Sequence, residues 1–300
     1  MPNFSFYKLS CFVLLALASS AFAQKAEPTA ESLAGKRVVF LGDSITQGGA
    51  YVSFAAYYLE KLHPRKRFEI FGLGLSSETL SGLSEKNHAG GRFPRPCLFE
   101  RLGRLLEKVK PEIVFACYGM NDGIYQPLEE TRFQAFKDGV TKLIEQCQAA
   151  GVKRIYLITP PSYCFPRITK GFNYDTVLAA YAEWETALNK PGVRVIDLHT
   201  PMSQAGDGVF SRYRVHPAED GHLFMAKTIL SAIGATPTDE PLATIKADPL
   251  YQQVNALRRL RSDRWRRHVG YTREKTVKPQ PLGDTEAEAA KIREKIDALK

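Results

Sequence analysis

The sequence predicts an α/β protein, a three-layer α/β/α sandwich built on a parallel sheet of five strands. Three observations predict it. Short apolar runs alternate with stretches of helical apolar spacing through residues 37–233. Five such strands alternating with helices imply a parallel sheet covered on both faces. With 300 residues, 44% of them hydrophobic and 11% aromatic, the chain has material for one large core and an appendage.

The N-terminus precedes this pattern. Lys8 supplies positive charge, residues 11–18 are apolar, and Ala21-Phe22-Ala23 before Gln24 reads as a small-x-small cleavage site. The apolar run is too short to span a bilayer comfortably, so a cleaved export signal over residues 1–23 is expected. Cys11 precedes the apolar run instead of closing it, which argues against a lipoprotein box. An exported chain, periplasmic or extracellular, follows. It would retain Cys97, Cys117, Cys147 and Cys164, which allow three pairings. Cys117 and Cys147 sit in apolar contexts, and a domain this large needs no staple, so no disulfide framework is expected.

After a polar linker over 24–35, the core domain is expected over 36–236. The first strand is 37–41. Val52, Ala55, Ala56, Leu59 and Leu62 then repeat at helical spacing. A second strand is 68–73, and 74–96 is a long loop rich in glycine, serine and proline. Leu98, Leu102, Leu105 and Val109 mark a helix before the third strand, 113–118. Phe133, Phe136, Val140, Leu143 and Cys147 mark another, before the fourth strand, 154–159, which Pro160-Pro161 ends. Asp175 is placed to cap a helix through Leu188. The fifth strand is 193–198, and Pro217 opens a last core helix through Ile233. Right-handed crossovers favour a doubly wound, flavodoxin-like layout, whose ligands bind beyond the carboxyl ends of the strands.

What lies at those ends is chemically pointed. Strand one runs into Gly42-Asp43-Ser44, and strand two into Gly74-Leu75-Ser76-Ser77-Glu78-Thr79. Strand three runs into Gly119-Met120-Asn121-Asp122, and strand five leads through a loop to His216-Pro217. A hydroxyl, an amide, small residues and an imidazole converge on one rim. Acyl transfer needs that set: a nucleophile, a base for its proton, and donors for the oxyanion.

These blocks, in this order and spacing, resemble the SGNH/GDSL hydrolases, a superfamily of serine esterases and acylhydrolases. The resemblance covers about residues 37–233. It implies Ser44 as nucleophile, His216 as base, and an oxyanion hole from the backbone N–H groups of Ser44 and Ser77 and the side chain of Asn121. Asp43 and Asp122 are expected to brace turns. Two departures stand out. The family's second block reads Ser-Gly-Asp/Glu-Thr, and Ser77 occupies the glycine position; Gly74 is a weaker candidate for that donor. The family also places an aspartate three residues before the histidine, and here Tyr213 stands there. A tyrosine of ordinary pKa supplies no anion at pH 7. A Ser–His dyad, another carboxylate such as Asp207, and a weakened or dead site are all open.

The resemblance and the export signal together imply a small acyl ester substrate, an acetyl group on carbohydrate by family analogy, with a lipid or aryl ester as the other reading and with no cofactor or metal. The alternative is a glycan-binding relative that has lost catalysis. His222 is expected to be structural, and His63, His88, His199 and His268 lack partners at informative spacing. The loop 88–96 follows the second block, so Arg92 and Phe93 are either pocket wall or ordered surface. Trp184 is expected to pack helix against sheet.

The net charge of +9 is uneven. From Arg258 to Lys278 nine Lys/Arg face only Asp263 and Glu274, inside an extension over 237–300. Nucleic acid fits poorly with an exported, enzyme-like chain. An acidic polysaccharide, an anionic membrane surface, and packing over the core by arginine stems are the other readings. Thr285 and Glu288 form a capping-box pattern. Ala289, Ile292, Ile296 and Leu299 make an apolar stripe that needs a partner, in this chain or a second one. No stretch after the signal is apolar enough to cross a membrane, and the oligomeric state is open.

Overall fold

The computed structural model describes Met1 and residues 29–163, 172–210 and 215–300, apart from the side chain of Asp207. The expected signal, Cys164 and Tyr213 lie outside the described residues. Strands β1 (Arg37–Gly42), β2 (Glu69–Gly72), β3 (Ile113–Cys117), β4 (Arg154–Ile158) and β5 (Val193–Ile196) form one parallel sheet in the order β2-β1-β3-β4-β5. This is the flavodoxin-like order, with its switch point between β1 and β3. Register explains the centre of the core. Phe40, Phe115 and Tyr156 are lateral partners on β1, β3 and β4. Their rings stack at 4.6 and 4.4 Å between centroids. Burying such rings on adjacent strands pins the pairing, since a one-residue slip would turn each to the opposite face.

The helices flank this sheet as a three-layer sandwich. They are α1 (Ser44–Gly48), α2 (Ala50–Leu62), α3 (Leu102–Val109), α4 (Glu130–Ala149), α5 (Asp175–Thr186), α6 (His199–Gln204) and α7 (Glu219–Ala232). Several local expectations differ. The turn after β1 is itself helical, forming α1. Leu98 sits in a separate 3-10 turn ahead of α3. Asp175 begins α5 instead of capping it: its carboxylate turns back to accept from the Tyr163 amide at 2.6 Å and the Ser162 hydroxyl at 3.1 Å. It also meets His199 Nε2 at 3.2 Å, so His199 has a partner after all. Trp184 packs helix on helix, edge-on to Phe133 and Phe136 of α4.

The extension folds back on the core through α8 (Leu242–Ala247), α9 (Pro249–Val269) and α10 (Thr285–Asp297), with a small hairpin of β6 (Tyr271–Thr272) and β7 (Thr276–Val277) between the last two helices. Helix α9 lies against α2 and β2. Trp265 meets the Phe71 ring edge-on at 5.4 Å, and the Arg261 guanidinium lies 4.9 Å over the same ring. Glu286 of α10 accepts from both Trp265 Nε1 and Arg261, each at 2.7 Å. The arginines thus cover aromatic surface with their stems and planes. Ala289 and Ile296 are buried, so the α10 stripe closes on this chain, with Leu299 left exposed. Thr285 makes no capping bond; Asp284 is the N-cap, and the Thr285 hydroxyl donates back to the Leu282 carbonyl. Among the described residues no helix is long and apolar enough to span a membrane. Cys97, Cys117 and Cys147 are free thiols.

Candidate active site

Ser44 is the first residue of α1, and Asp43 is its N-cap: the Asp43 carboxylate accepts from the Ile45 amide at 2.9 Å. A side-chain acceptor there satisfies an amide that a helix start leaves open. The cap fixes the exit from β1, and Ser44 emerges part-exposed at the rim. His216 reaches it from the loop before α7. Its Nε2 lies 2.8 Å from Ser44 Oγ. Residues 172 positions apart in the sequence therefore meet at hydrogen-bond distance. His216 is half-buried, and that burial holds its pKa below the ordinary histidine value. Among the described residues no carboxylate touches its ring. The position three residues before it, Tyr213, and the Asp207 side chain are outside the described residues.

The second block packs against the turn that carries Ser44. The Glu78 amide donates to the Leu75 carbonyl at 3.1 Å, closing a turn whose third residue is Ser77 with φ of 67°. That is the position of a type II turn that favours glycine. Ser77 therefore keeps the backbone conformation a glycine would adopt, in the block where the family has one. The Ser76 amide is taken by Gln47 Oε1 at 2.6 Å, which ties the turn to α1. Gly74 has another duty. A Cβ there would lie 2.5 Å from the Gln47 nitrogen and 2.7 Å from the Asp43 carbonyl, so the segment after β2 passes against α1 only because no side chain is present.

Asn121 joins the blocks. Its Oδ1 accepts from Arg95 Nη1 at 2.7 Å and from the Tyr125 hydroxyl at 3.3 Å. Two donors on one side fix the amide orientation. Nδ2 therefore faces the Asp43–Ser44 turn, donating over longer distances to Asp43 Oδ2 (3.2 Å) and the Glu78 carbonyl (3.3 Å). Asp122 binds the third block to the second: its carboxylate accepts from the amides of Leu80 and Ser81, both at 2.7 Å, and from Gly119 at 3.0 Å. Asp43 and Asp122 are both fully buried, and burial raises both carboxyls; Asp43 is pushed up to about 7.

Three charged residues in this frame were not singled out in the sequence. Arg101 is buried and grips Glu78 at 2.6 and 2.7 Å, while the Tyr118 hydroxyl donates to the same carboxylate at 2.7 Å. Arg95 is held by Glu85 through two bonds of 2.6 Å as it reaches Asn121. The loop 88–96 thus acts through Arg95. Arg92 is exposed and meets Glu274 at 3.4 Å, and Phe93 is buried between His88 and Arg273. The sequence cue was the proline on either side of Arg95, which marks a rigidly shaped segment.

The profile of the GDSL-like lipase/acylhydrolase family matches residues 40–223, more than half of the chain. The chain belongs to this family. It is accordingly an SGNH-type ester hydrolase, and residues 40–223 take in Ser44, Ser77, Asn121 and His216. No curated protein sequence matches this GDSL-family chain. Among solved structures it is similar to an alpha/beta hydrolase enzyme from the metagenome of Lake Arreo, Spain, with a TM-score of 0.52 and 22% identity over 70% of this chain and 100% of that one. It is similar also to an acetylxylan esterase from Geobacillus stearothermophilus, with a TM-score of 0.50 and 20% identity over 69% and 98% of the two chains. A gut microbial diltiazem-metabolizing enzyme gives a TM-score of 0.51 and 22% identity; the match covers 67% of this chain and only 47% of that one. At these identities the likenesses speak for the fold.

Proposed function

We propose that this GDSL-family hydrolase is an exported serine esterase that removes small acyl groups, acetyl above all, from carbohydrate. The observation that carries the catalytic part is the 2.8 Å contact between Ser44 Oγ and His216 Nε2. For Nε2 to accept the hydroxyl proton, the resting proton sits on Nδ1. The depressed pKa keeps the ring neutral, and so competent as a base, at pH 7. Ser44 Oγ attacks the acyl carbonyl as its proton passes to His216. The resulting oxyanion is met by the Ser44 and Ser77 amides and by Asn121 Nδ2, which exchanges its long bonds for a shorter charge-assisted one. His216 then returns the proton to the departing sugar oxygen, leaving an acyl-enzyme. Water, deprotonated by the same imidazole, releases the acid and restores Ser44.

The carbohydrate part draws support from the acetylxylan esterase among its structural neighbours. Export draws support from the charge, apolar run and small-x-small site of residues 1–23. A fluorophosphonate probe is expected to label the native chain at Ser44 and to leave Ser44→Ala unlabelled. No labelling, together with no release of p-nitrophenol from its acetate between about pH 6 and about pH 9, would falsify the hydrolase assignment and leave a glycan-binding relative.

A further inference from the structure

Beside the nucleophile lies a cavity of about 430 Å³, walled on one side by α1 and on the other by α9. Gln47 and Gly48, three and four residues after Ser44, line it, as does Glu219, three residues after His216. Residues spaced by three on a helix share a face, so Gln47 lies on the Ser44 side of α1. The α9 side is mainly basic: Arg258, Arg259 and Arg266 line it together with Asp263, and Lys246 comes from α8.

The charges of this wall are not balanced locally. Lys246 is paired with Glu219 at 2.7 Å, and Arg266 with Asp263 at 3.3 Å. Arg258 and Arg259 have no carboxylate partner among the described residues. Arg258 is only 7% exposed, and it is held by neutral groups: Nε donates to Ser53 Oγ at 2.9 Å and Nη2 to Asn255 Oδ1 at 3.2 Å. Its Nη1 makes no hydrogen bond among the described residues. That atom lies 2.8 Å from where a Cβ on Gly49 would be, and Gly49 has φ of 68°. The second glycine after Ser44 is therefore what lets a guanidinium approach the end of α1. Two further polar atoms on the same wall, Ser262 Oγ and Arg266 Nε, are buried without a partner. A buried cation held only by neutral groups at the wall of a cavity is costly unless an anion completes it.

We propose that the C-terminal extension builds a subsite beside the nucleophile for a negatively charged group of the substrate, a carboxylate or sulfate on the sugar chain that carries the ester. Arg258 supplies the fixed, pre-oriented guanidinium and Arg259 the exposed one. Planar guanidinium donors match the oxygens of either anion. The subsite rests on the esterase reading above for what it serves, but its binding can be read separately. It gives the basic stretch of α9 a role in choosing acidic glycans over neutral ones.

The test compares kcat/KM of the native chain on three acetylated oligosaccharides of equal length: neutral, uronic acid and sulfated. At least one charged substrate is expected to be favoured by about tenfold at low salt, the scale of one or two hydrogen bonds to a charged group. The preference should shrink as salt is raised. The substrate favoured, uronic acid or sulfated, identifies the anion. Arg259→Gln should reduce the charged-to-neutral ratio several-fold; Arg258→Gln should do so too if its melting shows that it folds. Equal rates on all three substrates in the native chain would overturn the subsite. Calorimetry on Ser44→Ala with deacetylated uronic and sulfated oligomers reads it without catalysis. Binding of either there, lost in Ser44→Ala/Arg259→Gln, sustains the subsite even if no ester is cleaved. Absence of binding for both overturns it even if p-nitrophenyl acetate is hydrolysed.

Discussion

His222, on α7 between His216 and the α2 core, makes folding stability depend on mild acid. Its ring lies parallel to Tyr51 at 6.2 Å, and its Nδ1 is buried without a hydrogen bond. Burial, followed by the nearby positive charges of His216 and Arg258, holds its pKa down to about 4. In the unfolded chain the same ring titrates at about 6.5. A depressed folded pKa means that the unfolded state binds the proton first. The stabilisation is therefore complete above about pH 6.5 and is lost as pH falls toward about 4. The separation of about 2.5 pKa units corresponds to about 3 kcal/mol in all, of which about 2 kcal/mol is already lost at about pH 5. His222→Phe keeps an aromatic ring against Tyr51 and cannot titrate. Urea denaturation of both proteins at about pH 8 and about pH 5 gives four unfolding free energies. The native chain should lose about 2 kcal/mol more than the variant between those pH values. Asp43 titrates in the same range with the opposite sign: its raised pKa favours the folded state below about 3.8, an advantage lost as pH rises through about 7. It is present in both proteins and cancels in the difference. Parallel pH slopes would refute the reasoning, because they would mean that His222 is protonated as easily folded as unfolded.

Other consequences follow from the same frame. The acid limb of kcat/KM for p-nitrophenyl acetate should have its midpoint below 6.5, since burial favours the neutral ring of His216; a midpoint above that value would indicate a carboxylate held against the imidazole. Ser77→Gly should raise the unfolding free energy by about 1 kcal/mol, measured by urea denaturation, because it relieves a side chain held at positive φ. Arg101→Leu leaves the Glu78 carboxylate buried with only the Tyr118 hydroxyl, and a loss of about 3 to 5 kcal/mol is expected. Adding Glu78→Gln to that variant should recover part of the loss; no recovery would mean that the unpaired charge was not its source.

The fold was legible because its signals are local and repeated. Each strand is a short, mostly apolar run, and each begins within a residue or two of where its pattern begins. The rim was legible for the same reason: Ser44, Ser77 and Asn121 lie two, five and four residues past the ends of β1, β2 and β3, and His216 lies three residues before α7. What was not legible depends on contacts distant in sequence. Nothing beside Arg95 shows that it will reach Asn121, 26 positions on, and nothing beside Arg101 points to Glu78. Asp175 read as a helix cap because capping is a local rule; its carboxylate was drawn instead to a backbone amide and a histidine from other segments. Ser77 was the position where a family glycine is missing, and only the φ of 67° reveals that the turn survives the exchange.

The residue at position 213 bears on how the energy of catalysis is distributed. A triad aspartate stabilises the imidazolium that forms as the serine gives up its proton, and its loss in a related constellation costs about 10⁴ in rate. Tyr213 supplies no such anion at its ordinary pKa, and the desolvation that keeps His216 neutral also disfavours the charge it must acquire. On the dyad reading, the site has less stabilisation at the reacting atoms and more to gain from binding elsewhere. Remote contacts accelerate chemistry when they hold the ester in the geometry of attack, and that is where a subsite fixed one helical turn from the nucleophile acts. A small aryl acetate reaches Ser44 but leaves Arg258 and Arg259 without a partner. On the proposed mechanism, the difference between such a substrate and an acidic glycan ester should therefore be seen in kcat as well as in KM. An effect confined to KM would mean that the arginines bind the ground state and the transition state equally.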